Sequence, residues 1–386
     1  MDQRTKTIFF ALIRSAILDQ RLTDEERDNY SREILQPIID LSKKHDISQI
    51  LIYALKENGL LLEEDRELEK QIFTAVCRCE RLKFALNIVA DAFEKAEIPF
   101  LPLKGSVLRD YYRKPWMRTS CDIDVLVKED DLDKAIESLC NKGFVRGVKS
   151  THDVTMHTPS KEHLELHFHL MEDGVANHSY DVLADVWDSL KLKEGKSYFY
   201  EMPNELFYFY HVAHMAKHFE NGGCGIRTIL DLYILDKMDG CDRAKLDTLL
   251  EKGKLLKFRD AVLSLLCVWF GEERHNSITE ALEDYLVCGG MYGNFENRIA
   301  VKQIKKGGRF KYIISRIFLP YNRLRFYYPI INKYPILTPI MHVRRWYKAL
   351  VNRRFKSVVN EFARSNKIEA CKDEKTINLL ENLGLK

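Results

Sequence analysis

The sequence predicts an α+β protein, of mixed α/β character, in which a small mixed β-sheet is flanked by N-terminal and C-terminal helical regions. Three observations predict this class. Apolar residues recur at helical spacing up to about residue 97, strand and helix patterns then alternate, and helical spacing returns after residue 177. Short strands that alternate with helices between two helical regions are typical of this class.

The N-terminal region, residues 1–97, is predicted to be helical. Ile8 and Leu12 belong to a run of apolar residues at three- and four-residue spacing, which places them on one helix face. Thr23 precedes three acidic residues, and this pattern indicates a capped helix N-terminus with acids in its first turn. The stretch 63–97 contains neither Gly nor Pro, so it is predicted to be one long helix or two abutting helices.

Residues 98–176 are predicted to form the α/β core of the protein. Runs of apolar, strand-like residues are separated there by short helical patterns. The predicted strands are 99–103, 121–127, 144–147, 153–158 and 163–170, and the predicted helices are 106–113 and 130–142.

Two further regions complete the predicted organisation. Residues 177–296 are predicted to form a helical domain, and residues 297–386 form a basic, aromatic-rich C-terminal region. Prolines between residues 320 and 339 are expected to exclude a long helix until about His342. The predicted helices of the domain are 204–220, 226–238, 243–252, 257–270 and 277–287.

The composition excludes several classes of protein. The 386 residues are 46% hydrophobic and 30% charged, which is not the composition of a collagen, a low-complexity chain or a small disulfide scaffold. No apolar run reaches the roughly 18 to 20 residues that a membrane-spanning helix requires, so no transmembrane segment is expected. The nine cysteines are odd in number and scattered, so we expect reduced thiols and a cytoplasmic location.

Two carboxylates in one predicted strand are the first indication of chemistry. Asp122 and Asp124 share a face of the strand, because side chains alternate. Their charges repel unless a cation lies between them, and Mg²⁺ is the hard ion that prefers such oxygens. Glu165, which shares a strand face with His167 and His169, is the predicted third acid. Alone, however, a pair of acids at this spacing is also common on protein surfaces.

A predicted phosphate-binding turn precedes these carboxylates. Lys104, Gly105 and Ser106 join a strand to a helix, where backbone N–H groups are available to an anion. Lys104 and Ser106 would add a charge and a hydroxyl, and Arg118 would balance further charge. Lys104 could instead be a surface lysine, and Arg118 could instead pair with a nearby carboxylate. Along the chain the turn comes first, then the paired acids, then the third acid. This order is expected for metal-assisted phosphoryl or nucleotidyl transfer.

Taken together, these residues resemble the polymerase-beta-like nucleotidyltransferase superfamily, and in particular a bacterial branch of nucleotidyltransferase family proteins. The resemblance extends into the helical domain, where residues 211–218 are similar to the helix that follows the sheet in that branch. It rests on Lys104-Gly105-Ser106, Arg118, Asp122-Ile123-Asp124, Glu165-Leu166-His167, Arg227 and Asp231.

This resemblance implies a fold, an activity and a set of roles. The fold would be a nucleotidyltransferase core whose cleft is completed by the helical domain. Gly105 and Ser106 would hold the triphosphate of an NTP, Asp122 and Asp124 would bind two Mg²⁺ ions, and Glu165 would bind one and activate the acceptor hydroxyl. NMP would pass to an unidentified acceptor, which could be a small molecule, a sugar, a peptide or RNA, with release of pyrophosphate.

Two other functions stay open from the sequence. A chain of this fold could bind a nucleotide or a partner without catalysis. Alternatively, His211, His214 and His218 lie on one helix face and could form the metal cluster of a phosphohydrolase with Asp231. Five residues could also lie beside the active site and orient its side chains. These are His167, His214, His218, Arg227 and Asp231.

Charge is distributed unevenly along the chain. Residues 298–356 contain 16 Lys or Arg and no acid, so the rest of this chain of net charge +3 carries −13. Eleven aromatic residues interleave with these cations, a pattern that suits RNA, an anionic glycan or an anionic membrane surface. The alternative is that the tract wraps the acidic body of the protein, and apolar runs such as Ile330-Ile331 favour that alternative.

Overall fold

The computed structural model describes residues 2–171, 178–291, 293–351 and 370–385. A five-stranded mixed sheet lies between helices that precede it and helices that follow it, which confirms the predicted α+β class. The predicted boundary at 176 and 177 and the last residues of the basic tract fall outside the described residues.

The N-terminal region is helical, as its periodicity predicts. Thr23 caps a short helix reciprocally, because its hydroxyl accepts from the Glu26 N–H and the Glu26 carboxylate accepts from the Thr23 N–H. The stretch without Gly or Pro forms one long helix. The helices are α1 (Gln3–Leu18), α2 (Asp24–Asp28), α3 (Leu35–Lys44), α4 (Ser48–Glu57) and α5 (Arg66–Lys95).

The predicted strands of the core are all present. They form a sheet of order β1-β2-β5-β4-β3, in which β2 and β5 are parallel and the other neighbours are antiparallel. The elements are β1 (Phe100–Leu103), α6 (Gly105–Leu108), β2 (Asp122–Val127), α7 (Leu132–Cys140), β3 (Val145–Lys149), β4 (Asp153–His157) and β5 (His163–His167).

Two expectations for the core are corrected. The helix expected at 106–113 ends at Leu108, and a 3-10 turn, Arg109–Tyr111, replaces its second half. The strand expected at 163–170 ends at His167, so His169 lies beyond it. The exposed His169 ring faces Glu129 at 3.5 Å and does not share the face of Glu165.

Alternation along the strands separates an apolar face from a polar face of the sheet. Ile123, Val125 and Leu164 point to one side, where they are fully buried with residues of α5 and α7. The acids between them therefore point to the other side, toward the helical region that follows. Burial of one face thus fixes which side chains reach the candidate site.

The helical domain follows with the predicted helices. Their bounds agree with the prediction to within two residues at each end. The elements are α8 (Ser179–Leu183), β6 (Lys191–Leu192), β7 (Tyr200–Glu201), α9 (Asn204–Phe219), α10 (Ile226–Asp236), α11 (Arg243–Lys252), α12 (Leu256–Phe270) and α13 (Ser277–Cys288).

The described residues of the C-terminal region form helices of 4 to 14 residues. The 14-residue helix begins at Thr338, earlier than the predicted start near His342, because Pro339 lies in its first turn, where no backbone N–H is needed. The elements are α14 (Phe295–Lys305), α15 (Arg309–Ile317), α16 (Tyr321–Tyr327), α17 (Ile330–Lys333), α18 (Thr338–Val351) and α19 (Ala370–Asn382).

The packing of α5 on the sheet gives a prediction for stability. Phe93 is fully buried and lies edge-on to Phe100 of β1, with ring centroids 5.5 Å apart. Phe93→Ala is expected to lower the free energy of unfolding by about 3–5 kcal/mol, because it leaves a cavity under the sheet. Urea denaturation measures the change. Phe84→Ala is the control on the same helix, because Phe84 is 68% exposed; equal losses in the two variants would contradict the assigned packing.

Candidate active site

A cavity of about 300 Å³ lies over the polar face of the sheet and is bounded on its other side by α9 and α10. Eleven of the twelve residues predicted for the site line it, and Ser106 is the exception. Their chemical roles are proposals, but the structure brings them together. The eleven are Lys104, Gly105, Arg118, Asp122, Asp124, Glu165, His167, His214, His218, Arg227 and Asp231.

The carboxylates come from two strands that run side by side. Parallel pairing of β2 with β5 sets Asp124 beside Glu165, and Asp122 lies two residues earlier on the same face of β2. Ligand atoms of Asp124, Glu165 and His167 all lie within 4.8 Å of one another. The third acid thus stands where the sequence pattern predicted it, on the strand next to the acidic pair.

Asp124 is the most buried and most strongly hydrogen-bonded of these acids. Lys104 Nζ donates to its Oδ1 at 2.8 Å, and His167 Nε2 lies 2.9 Å from the same oxygen. Burial would raise the pKa of Asp124, but Lys104 and His167 hold it well below its usual range. Lys104 is therefore a partner of Asp124 and not a surface lysine.

The backbone at Lys104 takes an uncommon conformation. Its φ of +46° and ψ of −121° lie in a region that residues with a Cβ rarely adopt. Such strain costs on the order of 1–3 kcal/mol and persists only where the surroundings impose it. Here the chain turns from β1 into α6 at the residue whose ammonium contacts Asp124.

The two remaining acids differ in their electrostatics. Burial and the nearby Asp124 carboxylate raise the pKa of Asp122. The hydrogen bond from His167 is the main cause that lowers the pKa of Glu165, whose side chain is 30% exposed to the cavity. The ionised form is therefore disfavoured at Asp122 and favoured at Glu165, and a cation bound between these acids would favour the ionised form of both.

Arg118 forms a buried ion pair with Asp231 of α10. Its Nε and Nη2 donate to the two carboxylate oxygens over 2.9–3.2 Å, and Tyr112 Oη donates to Asp231 Oδ1 at 2.8 Å. Burial would raise the pKa of Asp231, but the Arg118 guanidinium lowers it. Arg118 therefore does pair with a carboxylate, the alternative left open by the sequence, but its partner is Asp231 and not the neighbouring Asp122 or Asp124.

Gly105 is required by close packing. A Cβ on Gly105 would lie 2.9 Å from Arg118 Nη1 and 3.1 Å from Ser120 Cβ, nearer than side chains normally approach. Its carbonyl accepts from Arg109 Nε at 2.8 Å. The neighbouring Ser106 hydroxyl is buried and has no hydrogen-bond partner within the described part of the chain. Gly105 is therefore packed tightly at the cavity wall, whereas Ser106 is buried and does not line the cavity.

The histidines of α9 do not form the predicted metal cluster within the described residues. His211 Nε2 lies 3.0 Å from the Thr228 carbonyl, and the His214 and His218 rings meet edge-on at 4.5 Å. Burial, reinforced by His218 and Lys104, lowers the pKa of His214 far below its usual value. The groups of potential metal ligands that the described residues form include His167 but neither these three histidines nor Asp231.

Sequence reasoning missed several residues that shape the site. Tyr112 contacts Asp231, Arg109 holds Gly105, and Asp46, from the loop before α4, pairs with Arg227. Tyr210 lines the cavity, and burial raises its pKa to about 12. Tyr210 could have been found, because it lies on the same face of α9 as His214, whereas nothing in the local pattern identifies the other three.

The donor set fits a hard divalent cation. Asp122, Asp124 and Glu165 offer carboxylate oxygens, which Mg²⁺ prefers, and all three line the same cavity. Asp124 already attracts the Lys104 ammonium to one oxygen. The residues present are therefore compatible with metal binding at these strands.

Fold and site together define a nucleotidyltransferase-type protein, and the comparison with known families agrees. Residues 34–271 match the family described as "Uncharacterised nucleotidyltransferase". Because this match spans more than half of the chain, the protein belongs to that family.

Among solved structures, the chain is similar to the antibiotic-resistance factor ANT(2'')-Ia. The two are 11% identical, the match covers 48% of this chain and 93% of that chain, and the TM-score is 0.33. No curated protein matches the sequence. Within the described residues, no helix combines the length and apolarity needed to span a membrane.

The Arg118–Asp231 pair gives a second prediction for stability. Asp231→Asn would leave the Arg118 guanidinium buried without a counter-charge, so we expect a loss of about 3–5 kcal/mol in the free energy of unfolding. Asp236→Asn on the same helix is the control, because its partner Arg243 is 46% exposed and such pairs contribute about 0–1 kcal/mol. Chemical denaturation measures both, and a loss below about 1 kcal/mol for Asp231→Asn would refute the assigned importance of the pair.

Proposed function

We propose that the protein is a Mg²⁺-dependent nucleotidyltransferase, which transfers NMP from an NTP to an acceptor hydroxyl and releases pyrophosphate. The observation that supports this most is the gathering of Asp122, Asp124 and Glu165 on one sheet face under a cavity, in a chain of a nucleotidyltransferase family. The cavity of about 300 Å³ is at the lower end of the range for ligand pockets.

In this proposal the three carboxylates hold the metal. Asp122 and Asp124 would bind two Mg²⁺ ions and Glu165 would share one. When bound, Mg²⁺ neutralises phosphate charge and polarises the phosphorus that is attacked. Lys104 and Arg118 each pair with a carboxylate, Asp124 and Asp231 respectively, so in this proposal they position those groups at the cavity wall. The turn at Gly105 and Ser106 is proposed to receive the triphosphate.

The transfer itself needs a base for the acceptor. A bond forms between the acceptor oxygen and the α-phosphorus, the bond from that phosphorus to the bridging oxygen breaks, and its electron pair leaves with pyrophosphate. The hydroxyl proton passes to Glu165, because this carboxylate is 30% exposed to the cavity whereas Asp124 is only 4% exposed. His167, with Nε2 3.4 Å from Glu165 Oε2, positions that carboxylate.

Two alternatives make different predictions. A non-catalytic nucleotide-binding protein would bind NTP without releasing pyrophosphate. A phosphohydrolase centred on His211, His214, His218 and Asp231 would lose activity on substitution of His214 and keep it on substitution of Asp122. The arrangement of the α9 histidines described above does not favour the second alternative.

Loss of the paired acids tests the proposed function. Asp122→Asn and Asp124→Asn are expected to reduce Mg²⁺-dependent transfer from an α-labelled NTP by about 100-fold or more, because several kcal/mol of charge stabilisation is removed. Label transfer into an extract of proteins, RNA and small metabolites, together with pyrophosphate release, measures the loss. The fraction that receives the label identifies the class of acceptor.

Asp133→Asn is the matched control for this experiment, because Asp133 is an exposed acid on α7, outside the cavity. It is expected to keep full activity. NTP binding without pyrophosphate or product would favour the non-catalytic alternative. Activity that survives Asp122→Asn but not His214→Ala would favour the phosphohydrolase.

The basic C-terminal region is proposed to contact an anionic membrane surface. Large apolar side chains are exposed there, among them Phe310 at 75% and Ile336 at 86%, beside exposed Lys311 and Arg344. A lipid interface accepts both apolar and cationic side chains, whereas RNA and glycans leave aliphatic side chains in water. Val301 and Leu379 pack into the main core of the protein, whereas the described residues of the stretch 313–351 form a small separate core around Leu324, Ile331 and Met341. The apolar side chains that stay exposed beside this small core favour an external partner over an intramolecular wrap of the tract.

Vesicle binding tests this contact. The protein is expected to co-sediment with vesicles of phosphatidylglycerol but not of phosphatidylcholine alone, and Phe310→Ser with Ile336→Ser is expected to weaken binding about tenfold or more, because each loses buried apolar area at the interface. Leu192→Ser is the control, because Leu192 is 51% exposed elsewhere on the chain. Binding to RNA but not to anionic vesicles would overturn the membrane assignment.

A further inference from the structure

A second cluster of potential ligands adjoins the carboxylates at the edge of the cavity. Asp153 begins β4 and pairs across the sheet with His167 at the end of β5, and His152 immediately precedes it. One ligand atom from each of these three residues lies within 4.8 Å of the other two. The proposed transfer reaction uses neither His152 nor Asp153, so their placement requires a separate explanation.

His167 provides the first argument. Its Nε2 lies 2.9 Å from Asp124 Oδ1 and 3.4 Å from Glu165 Oε2, so this nitrogen carries a proton that the carboxylates accept. The ring is only 4% exposed, and within the described residues its Nδ1 is buried without a hydrogen-bond partner. A buried polar atom in this state costs about 1–3 kcal/mol.

A metal ion explains this orphaned nitrogen. Histidines that bind metals usually donate their other ring N–H to a carboxylate, which fixes the tautomer and leaves the second nitrogen as a ligand. The hydrogen bond from His167 to Asp124 has this form, and in the neutral ring that donates through Nε2 the lone pair of Nδ1 faces away from the carboxylates. Asp153, the first residue of the adjacent strand β4, and His152, just before it, would complete a ligand set.

The geometry around His152 supports the same conclusion. His152 Nε2 lies 3.0 Å from Asp153 Oδ2, and the His152 and His167 rings are 5.8 Å apart between centroids. The Ser150 hydroxyl accepts from the backbone N–H groups of His152 and Asp153 at 3.2 and 3.1 Å. The turn before β4 is therefore held in a conformation that brings both side chains to the cavity.

We propose that His152, Asp153 and His167 bind a divalent transition-metal ion of the zinc class. Two imidazoles and one carboxylate suit such an ion better than Mg²⁺, which prefers oxygen ligands alone. Three protein ligands leave a fourth position open, and all three residues line the cavity. The ion would hold His167 in the tautomer that donates to Asp124, and so would fix the position of that carboxylate.

This site does not depend on the proposed nucleotidyl transfer, and metal binding can be measured without activity. Tag-free protein, stripped of metal with a chelator, is titrated with Co²⁺ while the visible absorption spectrum is recorded. We expect one equivalent of Co²⁺ to bind with the d–d bands of nitrogen and oxygen ligation. Zn²⁺ should displace it, and millimolar Mg²⁺ should not.

Variants assign the ligands. His152→Ala and Asp153→Asn are each expected to weaken Co²⁺ binding by about 100-fold and to change the bands, because each removes one of three protein ligands. His157→Ala is the matched control, since this exposed histidine lies on the same β4 strand but outside the cluster. Circular dichroism and thermal melting of the metal-free proteins confirm that each variant is folded.

Two outcomes would overturn the proposal. One is wild-type protein that binds no Co²⁺ at stoichiometric concentration. The other is a spectrum that survives both His152→Ala and Asp153→Asn but is lost in Asp122→Asn, which would place the ion among the carboxylates of the transfer site. A failure of the nucleotidyl transfer assay would leave the Co²⁺ result unchanged, so the two proposals fail separately.

Discussion

The buried ion pair between Arg118 and Asp231 is the constraint on which the rest of the site depends. It joins the segment before β2 to helix α10, and so fixes the helical domain over the polar face of the sheet. Both side chains are almost fully withdrawn from water, and the desolvation of each is offset only by the presence of the other. Gly105 is small because the guanidinium lies against it. The approach of α10 to the sheet and the small size of residue 105 thus both depend on one contact.

The site concentrates negative charge and balances it only in part. Lys104 and His167 both contact one oxygen of Asp124, whereas burial and Asp124 itself disfavour the ionised form of Asp122. A protein that only had to fold would gain by replacing such acids with apolar residues. Their presence next to a cavity is understandable if cations and phosphates complete the balance, which connects the electrostatics of the site to the proposed chemistry.

Local patterns were sufficient to predict the strands and the shared face of the acids. Apolar and acidic residues alternate around Asp124 and Glu165, and this pattern is visible in a few adjacent residues. Burial of the apolar residues on one face of the sheet then places the acids on the other face. Partners distant in sequence were not predictable in this way. Asp231 as the partner of Arg118, and Lys104 as the partner of Asp124, depend on how separate elements pack. The proximity of His152 and Asp153 to His167 was not predictable either, since only strand pairing brings them together.

These contacts join residues that are far apart in the sequence, and this distance has a consequence for folding. Lys104 meets Asp124 across 20 residues, His167 meets Asp124 across 43, and Asp231 meets Arg118 across 113. Closing longer loops costs more entropy, and contacts between distant residues form late. During synthesis, the polar face of the sheet therefore emerges from the ribosome well before α10 can cover it. A nascent or truncated chain would present the carboxylates in an open groove, and only the helices that follow the sheet convert that groove into a cavity.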